Sequence, residues 1–445
     1  MTKINREIFT LAIPNIVSNI SVPLLSSVDS VLMGGLSIRH LAAVGLGSMI
    51  FNLMYWSFGF LRMTTTGLTA QSFGAGKKVL GVMILIRGSI LAITIALIIL
   101  ASKSLLFDVF SYLFNIGVSD YLLVAEYFHT RIWAAPATLL LYVVMGWFFG
   151  NQNARLPMFL TIIINVVNIV LSYYLVQKLE LGVKGVALGT VIAQYVGLFI
   201  AVIYIYRNSV FPYKSVFYQE LFNLDVIKQF FRLNSDVFIR TFCLTVAFSF
   251  FFSQSNLYGA VVMGANVILL QFVNWMSYGV DGFAYATESL VGKYVGGGNA
   301  RALKEVINMS FLWSFLVALA FSIIFYLFGT NIIDLFSDDA IAIEQANALL
   351  PFIWLFPVLG FASYVWDGVF IGLMATKEMR DTMFLAVILY FLVIVILPSF
   401  EDGRQLWFAL ISFVVARSVF QTIWYSKKIR HDSLDVSGKM LDRVV

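Results

Sequence analysis

Charge is what this chain has least of. Of its 445 residues only 12% are Asp, Glu, Lys or Arg, and 60% are apolar. A soluble protein of this length usually carries about a quarter charged residues, so a water-soluble globule is excluded. Cysteine is almost absent. Cys243 stands alone inside an apolar stretch, which rules out an intrachain disulfide and leaves the redox compartment open. The three histidines, His40, His129 and His431, are far apart and have no metal-ligand spacing. FGAGKK (Phe73–Lys78) lacks the spacing of a phosphate loop and has no strand before it. GGG at 296–298 reads as a turn, and no nucleophile elbow or zinc pattern occurs. These absences argue against an enzyme, a bound metal and a resident cofactor.

What the chain has in abundance is long apolar runs. About 20 apolar residues cross a bilayer as a helix. Twelve windows qualify: 8–33, 43–68, 79–101, 121–149, 157–177, 184–206, 230–254, 258–288, 303–328, 346–373, 380–398 and 405–425. They are too long for barrel strands and do not alternate strictly, so helices are the remaining way to span. The gaps are short, the longest running over 207–231. The first window is too long for a cleaved signal, contains Asp29 and lacks a small-residue cleavage site. With the N-terminus inside, nineteen Lys and Arg fall on the inner segments. Five fall outside: Arg39, Lys103, Lys178, Lys184 and Arg404. That bias predicts a multi-pass protein of the cell (inner) membrane with both termini in the cytoplasm. The net charge of +5 then reflects topology and contact with lipid headgroups rather than nucleic acid, since no basic stripe with interleaved aromatics is present.

The chain also repeats itself. FGAGKK follows the second window and VGGGNA (Val295–Ala300) the eighth, with Gly74 and Gly296 offset by 222. GWFFGNQNAR (Gly146–Arg155) and GVFIGLMATK (Gly368–Lys377) share both glycines and the closing cation at the same offset. Six spans per repeat is an even number, so both halves start on the same side. The expected fold is all-α and integral to the membrane, with twelve helices in two six-helix lobes related by a pseudo-twofold axis along the membrane normal. The expected domains are an N-terminal lobe (1–206), a cytoplasmic linker (207–231), a C-terminal lobe (232–427) and a cytoplasmic tail (428–445).

Ionisable residues inside spans usually face a bundle interior or a water-filled cavity. In the first span, Asn15, Ser18, Asn19, Ser26, Asp29 and Ser30 fall on about a third of the helix circumference, though Pro23 can kink the helix between them. Burial raises the pKa of a carboxyl unless a cation or donors offset it. Asp29 can therefore exchange protons, help cage a sodium ion, or act as a satisfied structural aspartate. In the fifth span, Thr161, Asn165, Asn168 and Ser172 line one face, as cation ligands or as polar glue between helices. The eighth span puts Asn274, Ser277, Asp281, Tyr285 and Glu288 on one face. Its acids form either a second titrating site or ion pairs with Arg240 or Arg417. Asp236 and Arg240, four apart, can neutralise each other. Arg62 reads as a structural partner for an acid, on a stripe with Tyr55, Thr66 and Thr69. Asn15, Asn19, Ser26, Tyr55, Arg62 and Tyr285 are the expected cavity-lining side chains. The 42 Phe, 20 Tyr and 15 Met offer soft walls for flat, greasy or cationic ligands.

FLRMTTTGLTAQSFGAGKK (Phe60–Lys78), DGFAYATESLVGKYVGGG (Asp281–Gly298) and DGVFIGLMATKEMRDTM (Asp367–Met383) resemble the DinF-type branch of the multidrug and toxic compound extrusion (MATE) transporters. PLLSSVDSVLMGGL and GWFFGNQNARLP resemble the same family, and the likeness runs in order along nearly the whole chain. The resemblance implies two six-helix lobes in a V shape and efflux of organic, often cationic and hydrophobic compounds against inward proton or sodium flow. It maps the family's N-lobe coupling acid onto Asp29. Where relatives read N-x-x-N-x-x-x-D in the fifth helix, this chain has Asn165, Asn168 and then Ser172. One acid fewer favours protons over sodium and leaves Asn165, Asn168 and Ser172 as uncharged companions of Asp29. The family's C-lobe acids do not align clearly, so Asp281, Glu288 and Asp367 are taken by position only. The expected partners are a small organic substrate and the bilayer, with no nucleic acid, for a monomer. The alternative is a lipid-linked oligosaccharide flippase of related architecture, which needs a strongly cationic cavity. A non-transporting scaffold or receptor would need neither paired lobes nor buried acids.

Overall fold

A computed structural model describes residues 3–208, 224–336, 339–398, 400 and 402–429; at 22–27, 29–31, 118, 119, 428 and 429 it describes the backbone alone. The described chain is helical throughout its ordered elements. The helices before the linker are α1 (Lys3–Gly34), α2 (Ile38–Trp56), α3 (Phe60–Gly74), α4 (Lys78–Ala101), α5 (Lys103–Leu113), α6 (Val118–Arg131), α7 (Ala135–Gly150), α8 (Arg155–Gln177) and α9 (Gly182–Asn208). Those after it are α10 (Leu224–Leu257), α11 (Ala260–Gly296), α12 (Ala300–Asp334), α13 (Ala340–Gly372), α14 (Thr376–Ile396) and α15 (Arg404–Trp424).

Hydrocarbon offers no partner to a backbone N–H, so a crossing segment closes its hydrogen bonds within itself. Among the described residues, eleven helical segments are long and apolar enough to cross a bilayer. The 32-residue α1, whose side chains are described only in part, completes the expected twelve. Two crossings are made of two helices each. Between α2 and α3 the chain tightens into a turn, with Phe58 N–H donating to Tyr55 O and Gly59 N–H to Trp56 O. Between α6 and α7 a short 3-10 turn, Ile132–Ala134, precedes Pro136 in the first turn of α7, where a missing N–H costs nothing. The loop after α4 contains a helix absent from the sequence reading. This is α5, with Phe107 buried and Leu105, Val109, Tyr112 and Leu113 exposed.

The chain forms two compact units. One comprises Val17–Thr69 and Lys77–Asn223; the other comprises Met1–Ile16, Ala70–Gly76 and Leu224–Val445. In the first, α4 packs on α7, α8 on α9, and α6 on both α2 and α9. Trp147 Nε1 on α7 donates to the Gly81 carbonyl of α4 at 2.9 Å. In the second, α11 packs against α13, α12 against α13, and α14 against both α10 and α15. Its core includes the fully buried rings of Trp407, Tyr390, Phe251, Phe272 and Phe413. Among them, Trp407 Nε1 donates to Asn266 Oδ1 at 2.7 Å, and Asn266 passes the chain on to Ser255 Oγ at 2.9 Å. A buried amide thus keeps both ends paired.

The glycines of the repeat make equivalent contacts. In one unit, a Cβ on Gly146 of α7 would lie 2.5 Å from the Arg62 carbonyl of α3. In the other, a Cβ on Gly368 of α13 would strike the Ala284 carbonyl of α11. Both members of the second pair are the first pair shifted by 222. Bare backbone there lets two helices touch without side chains between them. A second contact closes on itself within one unit. Gly74 rests on the backbone of Lys293 and Gly296 on that of Gln71, and 293 is 71 plus the same offset. Such reciprocity is the signature of a two-fold axis.

Candidate functional site

In the unit containing Val17–Thr69, the polar residues of α8 look in two directions. Asn165 Nδ2 donates to the carbonyl and hydroxyl oxygens of Ser21 on α1, each at 3.1 Å. Asn168 turns instead to α9, donating to Thr190 Oγ1 at 3.0 Å, and Ser172 Oγ donates to Asn168 Oδ1 at 3.0 Å. Gly189 of α9 lies directly against Ser172, and Asn168 and Ser172 are buried. One predicted stripe is therefore a link to α1 at Asn165 and an α8–α9 seam at Asn168 and Ser172. Asp29 and Ser26 lie outside the residues whose side chains are described. Asn19 is half-buried.

Deeper in the same unit, Arg131 Nη1 donates to Ser48 Oγ at 3.2 Å and to the hydroxyl of Tyr127. Its guanidinium also covers the Phe51 ring at 5.1 Å. A cation over an aromatic face gains electrostatically from the ring quadrupole. Tyr55 is buried on the next turn of α2, and Arg62 reaches over the Phe149 ring at 6.0 Å.

The unit containing Leu224–Val445 holds a buried charge node. Arg240 of α10 pairs with Asp367 Oδ2 of α13, and Arg417 Nη2 of α15 donates to the same oxygen at 2.6 Å. Gln421 Nε2 donates to Asp367 Oδ1 at 3.0 Å. Arg240 is 5% exposed, Arg417 4% and Asp367 9%. Asp281 of α11, half-buried, lies within electrostatic reach of Arg240 and Tyr364. Tyr364 in turn shares a 2.8 Å hydrogen bond with Ser277. Two guanidiniums thus meet two carboxylates, and four helices are tied together. The repeat does not extend to this chemistry: the residues 222 positions earlier are Ser18, Met145, Tyr195 and Gly59.

Asp236 does not neutralise Arg240, although the two are one helical turn apart. Arg380 Nη1 of α14 donates to Asp236 Oδ1 at 2.6 Å and Thr376 Oγ1 to its other oxygen at 3.2 Å. Glu288 is buried where Gly368 and Gly372 approach its backbone. Asn15 is buried and donates to the Leu11 carbonyl at 2.8 Å, while Tyr285 is half-buried. Sequence reasoning missed Gln421 as a member of the Asp367 node and Arg380 as the partner of Asp236. Both lie near helix ends, Arg380 at the start of α14 and Gln421 at the end of α15, where a polar residue reads as ordinary. Among the described residues no group of three or more His, Cys, Asp or Glu could hold a metal ion.

Comparison with known proteins follows the repeat. The MatE family model matches residues 14–174 and again 237–398, two stretches that begin 223 residues apart. The chain is similar to the DNA damage-inducible protein F of Escherichia coli, with 31% identity over 430 residues, 95% of this chain and 93% of that protein. It is 25% identical over 364 residues to the probable multidrug resistance protein NorM of Thermotoga maritima, covering 80% of this chain and 77% of that one. Its fold matches the bent form of the Vibrio cholerae MATE transporter VcmN, with a TM-score of 0.85 at 18% identity over 97% of this chain and 98% of that one.

Proposed function

Given that this chain belongs to the MatE family, whose members are transporters and not enzymes, we propose that it exports organic compounds, cationic and hydrophobic ones foremost, in exchange for inward-moving protons. Asp29 is the coupling acid of the first half. The observation that carries this reading is the pair of hydrogen bonds from Asn165 Nδ2 to Ser21, which fixes α8 against the helix bearing Asp29. From Ser21 to Asp29 is about 12 Å along α1, and from Asn165 to Ser172 about 10 Å along α8. With both helices running outward, Asp29 sits at the depth of the α8–α9 seam. Asn168 and Ser172 hold α8 in place, so that Asn165 answers movements of α1.

In the outward-facing state Asp29 takes a proton, α1 adjusts against Asn165, and bound drug loses affinity and leaves. In the inward-facing state the proton departs and substrate rebinds. Pumping requires that proton and drug each bind the two states with different affinity. The missing second acid of α8 supports protons over sodium as the coupling ion. The pairing of Arg240 and Arg417 with Asp367 speaks against an oligosaccharide flippase, because those guanidiniums are already committed. We take the protein as a monomer of the inner membrane, with cytoplasmic termini, no nucleic-acid partner and no resident cofactor.

The test is reconstitution in liposomes with an imposed pH gradient and a fluorescent organic cation. Wild type should drive the cation against its gradient, and Asp29→Asn should lose that drive while still folding. Undiminished pH-driven transport by Asp29→Asn removes the acid from the mechanism. Transport energised by sodium alone overturns proton coupling.

A further inference from the structure

Two helices of the first repeat belong to both compact units. The opening turns of α1, up to Ile16, and the last turns of α3, Ala70–Gly76, cluster with the second half of the chain, while the rest of each helix clusters with the first. The bonds holding these ends are polar. Lys293 Nζ and the Tyr294 hydroxyl, both from the last turns of α11, donate to one oxygen of Glu7, Oε2, at 2.8 and 2.7 Å. Trp313 Nε1 of α12 donates to Asn5 Oδ1 at 3.1 Å. The Phe9 ring meets Trp313 edge-on, with centroids 4.7 Å apart. On α3, Gln71 Nε2 donates to the Gly372 carbonyl at 2.8 Å, beside the reciprocal Gly74–Gly296 contact.

The Glu7 and Lys293 side chains are 22% and 24% exposed. Water can therefore take over each charge when the pair separates, and release leaves no ion stranded in an apolar interior. The glycine contact is backbone on backbone and parts without a side chain having to withdraw. The Asp367 node behaves in the opposite way, because its charges are almost fully enclosed and separating them strands a guanidinium. One set of contacts is built to hold and the other to open.

We propose that Glu7, with Lys293 and Tyr294, is a releasable latch. It fastens the inner ends of α1 and α3 to the second repeat, and it must break for those ends to swing free once per transport cycle. This rests on the transporter reading above, with the cytoplasmic side at the start of α1. The latch sets how often the inner side opens, and Asp29 sets what that opening is worth.

The test reads opening directly, without substrate or gradient. In a Cys243→Ser background, Ser72→Cys places a thiol at a buried position of the α3 end. Its rate of labelling by a membrane-impermeant maleimide is measured in inside-out vesicles. Glu7→Gln should raise that rate about three- to tenfold, the range allowed by loss of a partly exposed ion pair and its phenolic bond. Tyr294→Phe, a mild change, should raise it about twofold. The exchanged pair Glu7→Lys with Lys293→Glu should return it to within about twofold of wild type. Unchanged labelling in Glu7→Gln and Tyr294→Phe overturns the latch, and so does an exchanged pair that labels as fast as the single variants. A wild type that moves no drug, with these labelling results intact, counts against the function proposed above and leaves the latch standing.

Discussion

Asp367 shows how one carboxylate can be decisive for a bundle. Two guanidiniums and an amide converge on it from α10 and α15. Breaking a buried pair by removing one partner costs about 3–5 kcal/mol, because the remaining charge has neither water nor counter-ion. Asp367→Asn should therefore lower the thermal midpoint of the detergent-solubilised protein markedly, as followed by size-exclusion chromatography after heating. Asp281→Asn, half-buried and sharing a lesser part of the field, should lower it less. A midpoint for Asp367→Asn equal to that of wild type would mean that the node bears no weight. Spacing alone pairs Arg240 with Asp236. The folded chain offers each a better partner, 127 and 144 residues away respectively. Helical periodicity ranks neighbours on the same helix and is blind to those on other helices.

At the level of elements, helix–helix distance is set by missing side chains. Gly146 against the Arg62 carbonyl and Gly368 against the Ala284 carbonyl leave no room for a Cβ. Gly146→Leu and Gly368→Leu should each force two helices apart. The cost is at least the ~1–3 kcal/mol of ordinary overpacking. Because the contacts are repeat-equivalent, the two variants should lose folded yield to a similar degree, and tolerance of one but not the other would break the equivalence. The twelve crossings and the repeat were legible, since hydropathy and glycine spacing record them directly. The turn between α2 and α3 was not, because no proline interrupts the apolar run. Nor was α5, which the sequence shows only as a short apolar interval. The α8 stripe was legible as a stripe, but its division between α1 and α9 depends on which helices flank it.

Across the whole molecule, the start of α1 and the end of α3 are the least readable feature and the one with most to say. Hydrophobic pattern records that a face is buried without recording what buries it. Since Glu7, Asn5 and Gln71 bond to residues beyond position 290, a chain severed within 209–223 should reassemble. Co-expressed as two pieces with an affinity tag on one, the halves should co-purify in detergent. Failure to do so would show that these contacts cannot sustain association without the covalent tether.

The mutual seating of Gly74 and Gly296 has an ancestral implication. A touch in which each participant is the other's counterpart needs no second kind of chain; two identical polypeptides of half this length can make it with each other. The carboxylate gripped by two arginines has no such counterpart, so it is a trait that only two distinct halves can keep on one side.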